Sequence, residues 1–315
     1  MSRIERYQES IEKFINKNIT NTELKEMILK RDHLLGIILA SILNNNTKKS
    51  NFKVHGYYMS IAIDLFYIIN EYQSYTEYYK NKKINSLIIT CINTVYHLLQ
   101  LNIESLKIPA KQEHTYHKII TFVFSYINSK INNITQQYEF TKLNKTTKTD
   151  ILNLTILMND EKNELRNKLK TLQQVDRQEF EEYMNKVYGN IGMLVVITGW
   201  SLGGGDLKAE LMKELQMIGE MIGILYKICI DFDNIKEDII KSSKYSYNFI
   251  INYGVQEGFV YFMETKTNIL EACLKYNLYS HTVKEVIDLL ETKIDAALKD
   301  SSIDMKSTYS SYSSK

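Results

Sequence analysis

The chain has 315 residues, 44% of them apolar, with 39 Lys and Arg against 37 Asp and Glu and a net charge of +2. That balance leaves no electrostatic footprint for nucleic acid or an anionic membrane surface, and the apolar content is that of a globular chain. One proline, Pro109, and twelve glycines leave few breaks, so the composition predicts an all-α protein with few tight turns.

In chain order, apolar spacing predicts helices over 3–17 and 21–44, the second carrying Ile28, Leu34, Leu35, Ile38, Leu39 and Leu43. The tract NNNTKKSNFK (44–53) reads as a polar loop. An aromatic-rich helix follows over 57–79 and breaks at KNKK (80–83). Next comes 85–101, with Leu87, Ile88, Cys91, Ile92, Val95 and Leu98 on its apolar side. Pro109 marks a turn. Helices over 114–133 and 150–172 flank the polar stretch 141–150, and helices over 179–201 and 206–240 are punctuated by the glycines at 203–205. Helices over 245–276 and 282–298 complete one expected domain, 1–300, with a disordered polar tail at 301–315.

The passage IGMLVVITGWSLGGGD (191–206) tests the all-α reading, because an apolar run ending in glycines can also be a strand and a phosphate loop. It matches neither G-x-G-x-x-G nor G-x-x-x-x-G-K-[ST], so it reads as a helix with close-approach glycines. The longest apolar runs, near 34–43 and 191–200, are about half the ~20 residues of a membrane span, so no stable membrane insertion is expected. The N-terminus is a charged amphipathic helix and not a signal peptide. Cys91, Cys229 and Cys273 are scattered and odd in number. They read as buried free thiols in a reducing compartment, which makes the cytoplasm the expected location.

The segment 217–240 reads as the central helix. Leu211, Leu215, Ile218, Ile222, Leu225, Cys229 and Phe232 recur at spacings of four and three, and between 217 and 230 only Glu220 and Lys227 are charged. Asp231, Asn234 and Asp238 then share one helical face among isoleucines. Carboxylates placed there are desolvated unless a cation or donor satisfies them, although a helix end emerging into water is the simpler alternative. His114 and His117 stand one turn apart, but two ligands are too few for a metal centre, and no nucleophile template is met.

These residues carry a resemblance. EEY at Glu181–Tyr183, NIGML at Asn190–Leu194, IGILYKICIDFDN at Ile222–Asn234 and SKYSYNFII at Ser243–Ile251 resemble, in order and spacing, successive motifs of the trans-isoprenyl diphosphate synthases, most of all the geranylgeranyl type. LKRDHLLGIILA (29–40) and IAIDLFYII (61–69) resemble the family's first helices more weakly. The resemblance implies a single antiparallel helical bundle around a cavity, Mg2+ or Mn2+ as cofactor, and an isoprenyl diphosphate, farnesyl first, as substrate. It also allows a homodimer, and it implies no nucleic-acid partner.

By that resemblance Asp231, Asn234 and Asp238 hold one metal group, and Glu71 or Glu77 the other. Lys186, Asn190 and Lys244 bind diphosphate, with Asp231, Asn234 and Lys244 also counted as catalytic. Tyr67, Tyr75, Tyr188, Trp200 and Tyr226 are the aromatics expected to line the cavity. An aromatic face stabilises a desolvated cation by about 2 kcal/mol.

Several positions depart from the family. The leading Asp of the second motif is Ile230, and the first Asp-rich motif falls on Ser74-Tyr75-Thr76-Glu77-Tyr78. The lysine of the Lys-Thr pair falls on Asn190, and an Arg that seats the second diphosphate falls on or near His33. That pattern resembles a class I terpene synthase derived from a prenyltransferase, which ionises farnesyl diphosphate, cyclises the cation and releases pyrophosphate. The open alternatives are a prenyltransferase with degenerate motifs and a catalytically dead partner subunit.

Overall fold

The structure, a computed structural model, describes residues 2–46, 53–80, 83–104, 113–145, 149–152, 154 and 163–298. Apolar residues at helical spacing make nearly all of these helical, as the composition predicts. In order they are α1 (Arg3–Asn18), α2 (Thr22–Leu29), α3 (Leu34–Asn46), α4 (Lys53–Ser74), α5 (Thr76–Tyr79), α6 (Ile84–Glu104), α7 (Glu113–Thr135) and α8 (Thr149–Leu152). Then follow α9 (Asn163–Thr171), α10 (Arg177–Met184), a π-helical turn (Asn185–Gly189), α11 (Asn190–Leu202), α12 (Ala209–Asp233), α13 (Ile235–Lys241), α14 (Phe249–Tyr253), α15 (Val255–Lys275) and α16 (His281–Leu298). Among the described residues the sheet is two residues wide on each side, β1 (Leu143–Asn144) antiparallel to β2 (Gln174–Val175). The passage 191–200 is therefore helix and not strand.

Several expected helices are interrupted, each for a local reason. The 21–44 helix breaks before α3, where His33 takes a left-handed φ of 57° and its ring bonds the buried Asp64. A left-handed non-glycine residue costs about 1–2 kcal/mol, which the buried side-chain contact offsets. The 206–240 helix ends at Asp233 because Asn234 leaves helical geometry (φ −103°, ψ 12°), and α13 restarts the chain. The 245–276 helix is cut at Gly254, whose φ of 96° only glycine adopts freely. Of the 150–172 helix, residues 153 and 155–162 lie outside the described residues. So do Pro109, the side chain of His114 and the tail 301–315.

Packing divides the chain into two compact units. The first comprises Met1–Gln137, Asn185–Ile224 and Ile269–Ile287, the second Tyr138–Met184, Leu225–Asn268 and Asp288–Lys315. In the first unit α3 and α11, apolar on every side, pack against each other, with α4 on both and α7 on α11. A helix without a polar face has to be central. Gly192 sits where a Cβ would lie 2.0 Å from the Gly219 carbonyl oxygen. At Gly223 a Cβ would meet the Tyr188 carbonyl oxygen at 1.9 Å, so two backbones touch here. α6 packs on α4 and is long and apolar enough to cross a membrane by length and composition, with 28% of its most apolar window buried.

The second unit has an aromatic core in which Phe140, Phe180, Tyr183 and Tyr247 meet mostly edge-on or tilted, Tyr183 being fully buried. Such pairs add about 0.5–1.5 kcal/mol each beyond their area. The Arg177 guanidinium lies over the rings of Phe249 and Tyr253 and is clamped by Glu181 and Glu257.

Candidate functional site

The second unit holds a buried polar cluster at the end of α12. Lys227 and Asp231 are one helical turn apart, and the ammonium lies 2.5 Å from Asp231 Oδ1, with side-chain exposures of 6% and 1%. Lys227 Nζ also donates to the Tyr247 carbonyl at 2.8 Å. The other carboxylate oxygen, Asp231 Oδ2, accepts the Phe249 backbone N–H at 2.8 Å. Asn248 caps α14 by accepting the Ile251 N–H. Its amide donates to the Asp231 carbonyl at 2.7 Å and to Asp238 Oδ2 at 2.8 Å. One asparagine thus ties α12, α13 and α14 together.

The electrostatics follow from burial. Desolvation raises the Asp231 pKa, and the adjacent Lys227 ammonium opposes that rise. Burial would strip the proton from Lys227, but the Asp231 carboxylate, helped by Tyr183 and Asp238, outweighs it and raises the lysine pKa. The ammonium is therefore held charged.

In the first unit the expected residues make different contacts. Glu71 Oε2 pairs with Arg31 at 2.6 Å, and Arg31 lies over the Tyr67 ring, 5.6 Å from its centroid. Tyr67 packs against Tyr188 at 5.3 Å between centroids, and the Tyr188 hydroxyl donates to Asn70 at 2.7 Å. His33 Nδ1 lies 2.6 Å from Asp64 Oδ2. Burial would lower the His33 pKa, but Asp64 outweighs it and the pKa is raised. Glu77 is exposed and reaches Lys80 only at 3.8 Å.

No family model matches the chain, and no curated protein matches it either. Solved structures do. A geranyltransferase from Helicobacter pylori superposes with a TM-score of 0.59 over 92% of this chain and 98% of that one, at 12% identity. A geranyltransferase from Legionella pneumophila gives 0.51 over 93% and 95%, at 11% identity. The chain has the isoprenoid synthase fold.

Within the isoprenoid synthase fold, the positions expected to bind metal and diphosphate have the following surroundings. Asp231 and Asp238 are brought together through Asn248, both buried, while Asn234 is half-buried at the break between α12 and α13. Lys244 is exposed in the loop after α13, where its carbonyl accepts the Gln173 N–H. Lys186 is exposed on the π-helical turn, and Asn190, buried, donates to the Lys186 carbonyl at 2.6 Å. Tyr67, Tyr75, Tyr188 and Tyr226 are buried, whereas Trp200 is half-buried with its indole N–H on the Asp206 carbonyl.

Asp231 as placed does not fit a divalent cation. Mg2+ takes oxygen ligands at about 2.0–2.1 Å in octahedral array, one or two of them carboxylate oxygens and the rest water or phosphate. Asp231 has already committed one oxygen to an ammonium and the other to a backbone N–H. In the first unit Glu71 is paired with Arg31. Reading the sequence alone misses two organising residues here, Lys227 and Asn248. A lysine four residues before an aspartate inside an apolar helix was the available signal for the first. An asparagine just ahead of an apolar run signals a helix cap for the second.

Proposed function

We propose that the chain is a non-ionising subunit with the isoprenoid synthase fold, acting by association and not by turning over an allylic diphosphate. The observation that carries this reading is the buried Lys227–Asp231 pair, set where the resemblance puts metal-binding carboxylates. Ionising an allylic diphosphate needs a leaving pyrophosphate to be neutralised by metal-held carboxylates, and Asp231 has neither oxygen to offer. Association is supported by α6. It has no charged residue from Ile84 to Ile103, and Ile89, Tyr96 and Ile103 stand exposed along one stripe at two-turn intervals. That stripe is the proposed surface for a second copy of the chain. The three buried free thiols support a cytoplasmic setting.

A second reading, a class I terpene synthase acting on farnesyl diphosphate with Mg2+, is favoured by one observation. The tilted Tyr67–Tyr188 pair lies beside the Arg31–Glu71 ion pair, setting an aromatic face next to a cation and a carboxylate. One assay separates the readings. Purified protein with farnesyl diphosphate and Mg2+ is expected to release no pyrophosphate, with or without isopentenyl diphosphate. Release from farnesyl diphosphate alone, lost in Asp231→Ala, would establish the terpene synthase, and isopentenyl-dependent elongation the prenyltransferase. In sedimentation velocity the wild type should self-associate, and Ile89→Glu/Ile103→Glu should remain monomeric.

A further inference from the structure

A buried carboxylate persists only with a compensating partner, and in the second unit that partner is a side chain. We infer that Lys227 is a resident cation: its ammonium supplies the charge that a divalent metal would otherwise bring to Asp231, and it closes that carboxylate to metal. The geometry is specific. Lys227 Nζ sits 2.5 Å from Asp231 Oδ1 and also donates to the Tyr247 carbonyl at 2.8 Å, so swinging away would break both bonds. Asp231 Oδ2 and Asp238 Oδ2 are held by the Phe249 N–H and the Asn248 amide, donors contributed by the loop that caps α14. A metal approaching Asp231 would have to displace an ammonium and a backbone N–H together, with both residues at 5% exposure or less. The cluster therefore forms and stays ordered without metal.

The sequence consequence is specific as well. Only one positive charge enters the apolar stretch between Met217 and Ile230, and it falls one helical turn before the aspartate. At that spacing a lysine reaches a carboxylate on its own helix, so no further segment is needed to deliver the cation. Replacing the lysine by the shorter, uncharged glutamine should leave the Asp231 carboxylate without a cation, facing the space that the ammonium vacates.

This inference rests on the same ion pair as the non-ionising reading but fails separately. Turnover of farnesyl diphosphate would sink that reading while leaving the metal question to the following experiment. Full-length wild type, Asp231→Asn, Lys227→Gln and Lys227→Gln/Asp231→Asn are titrated with Mn2+ alone, followed by electron paramagnetic resonance. Thermal melts are recorded in Mg2+ and in EDTA. Wild type and Asp231→Asn should bind Mn2+ alike, and the wild-type melting temperature should not distinguish Mg2+ from EDTA. Lys227→Gln should gain a Mn2+ site on the order of tenfold tighter than any in the wild type, absent from the double variant, and should melt higher in Mg2+ than in EDTA.

A wild-type Mn2+ site that Asp231→Asn removes would overturn the inference, as would a folded Lys227→Gln that gains none. If Lys227→Gln does not fold alone, refolding in Mg2+ or Mn2+ replaces the titration. Recovery of the helical circular dichroism would support the resident cation, and no recovery would overturn it.

Discussion

Lys227→Met probes the energetics of the cluster directly. It deletes the ammonium but keeps most of the side-chain volume, leaving the Asp231 carboxylate at 1% side-chain exposure with only the Phe249 N–H. Breaking a buried pair from one side costs about 3–5 kcal/mol. The carboxylate can escape by taking a proton, which sets a ceiling. Holding an Asp protonated at pH 7, when its unperturbed pKa is 3.8, costs about 4 kcal/mol at roughly 1.4 kcal/mol per pH unit. The expected loss at pH 7 is therefore about 3–4 kcal/mol, a large part of the ~5–15 kcal/mol that stabilises a typical chain.

The sign with pH follows from the same protonation. In the variant the folded-state pKa of Asp231 lies above the unfolded value, so the native state binds more protons and stability falls as pH rises. At pH 5 the penalty should shrink to roughly 2 kcal/mol. Adding Asp231→Asn to Lys227→Met removes the stranded charge while keeping an acceptor for Phe249, so the double variant should be more stable than the single at pH 7. Urea unfolding followed by far-ultraviolet circular dichroism reads all three proteins. A single variant within about 1 kcal/mol of wild type, or a double variant less stable than the single, would refute the reasoning.

Gly223→Ala should abolish soluble folded protein or lower its melting temperature sharply. The new Cβ would stand 1.9 Å from the Tyr188 carbonyl oxygen, which is backbone and cannot rotate away; overpacking of even a yielding site costs about 1–3 kcal/mol. An unchanged melting curve would count against the close approach. His55 is buried against Asn102, and burial lowers its pKa to about 4 from 6.5. Its neutral burial stabilises the fold fully above pH 6.5, and about 3 kcal/mol of that is lost as pH falls towards 4. His55→Gln should flatten the stability profile in that window, and an unaltered slope would show that another group titrates there.

Much of the fold was legible in local pattern. Apolar spacing of three and four marks α12, and the glycines within 191–205 point to close helix contact, because that periodicity is set by the backbone itself. The free, buried cysteines and the all-α class followed from composition in the same way. The breaks at His33 and Asn234 were not legible. His33 is held left-handed by Asp64, thirty-one residues away, a contact that no local propensity encodes.

The candidate site divides along the same line. The sequence alone placed Asp231 and Asp238 near each other and set Lys227 one turn before Asp231. What these charges do was decided by the tertiary structure. The loop carrying Tyr247, Asn248 and Phe249 returns to the end of α12 and excludes water. In water an ammonium four residues before a carboxylate is worth a few tenths of a kcal/mol. Buried under that loop, the same pair commits both carboxylate oxygens of Asp231, because in a low-dielectric interior each charge must find its partner within the chain.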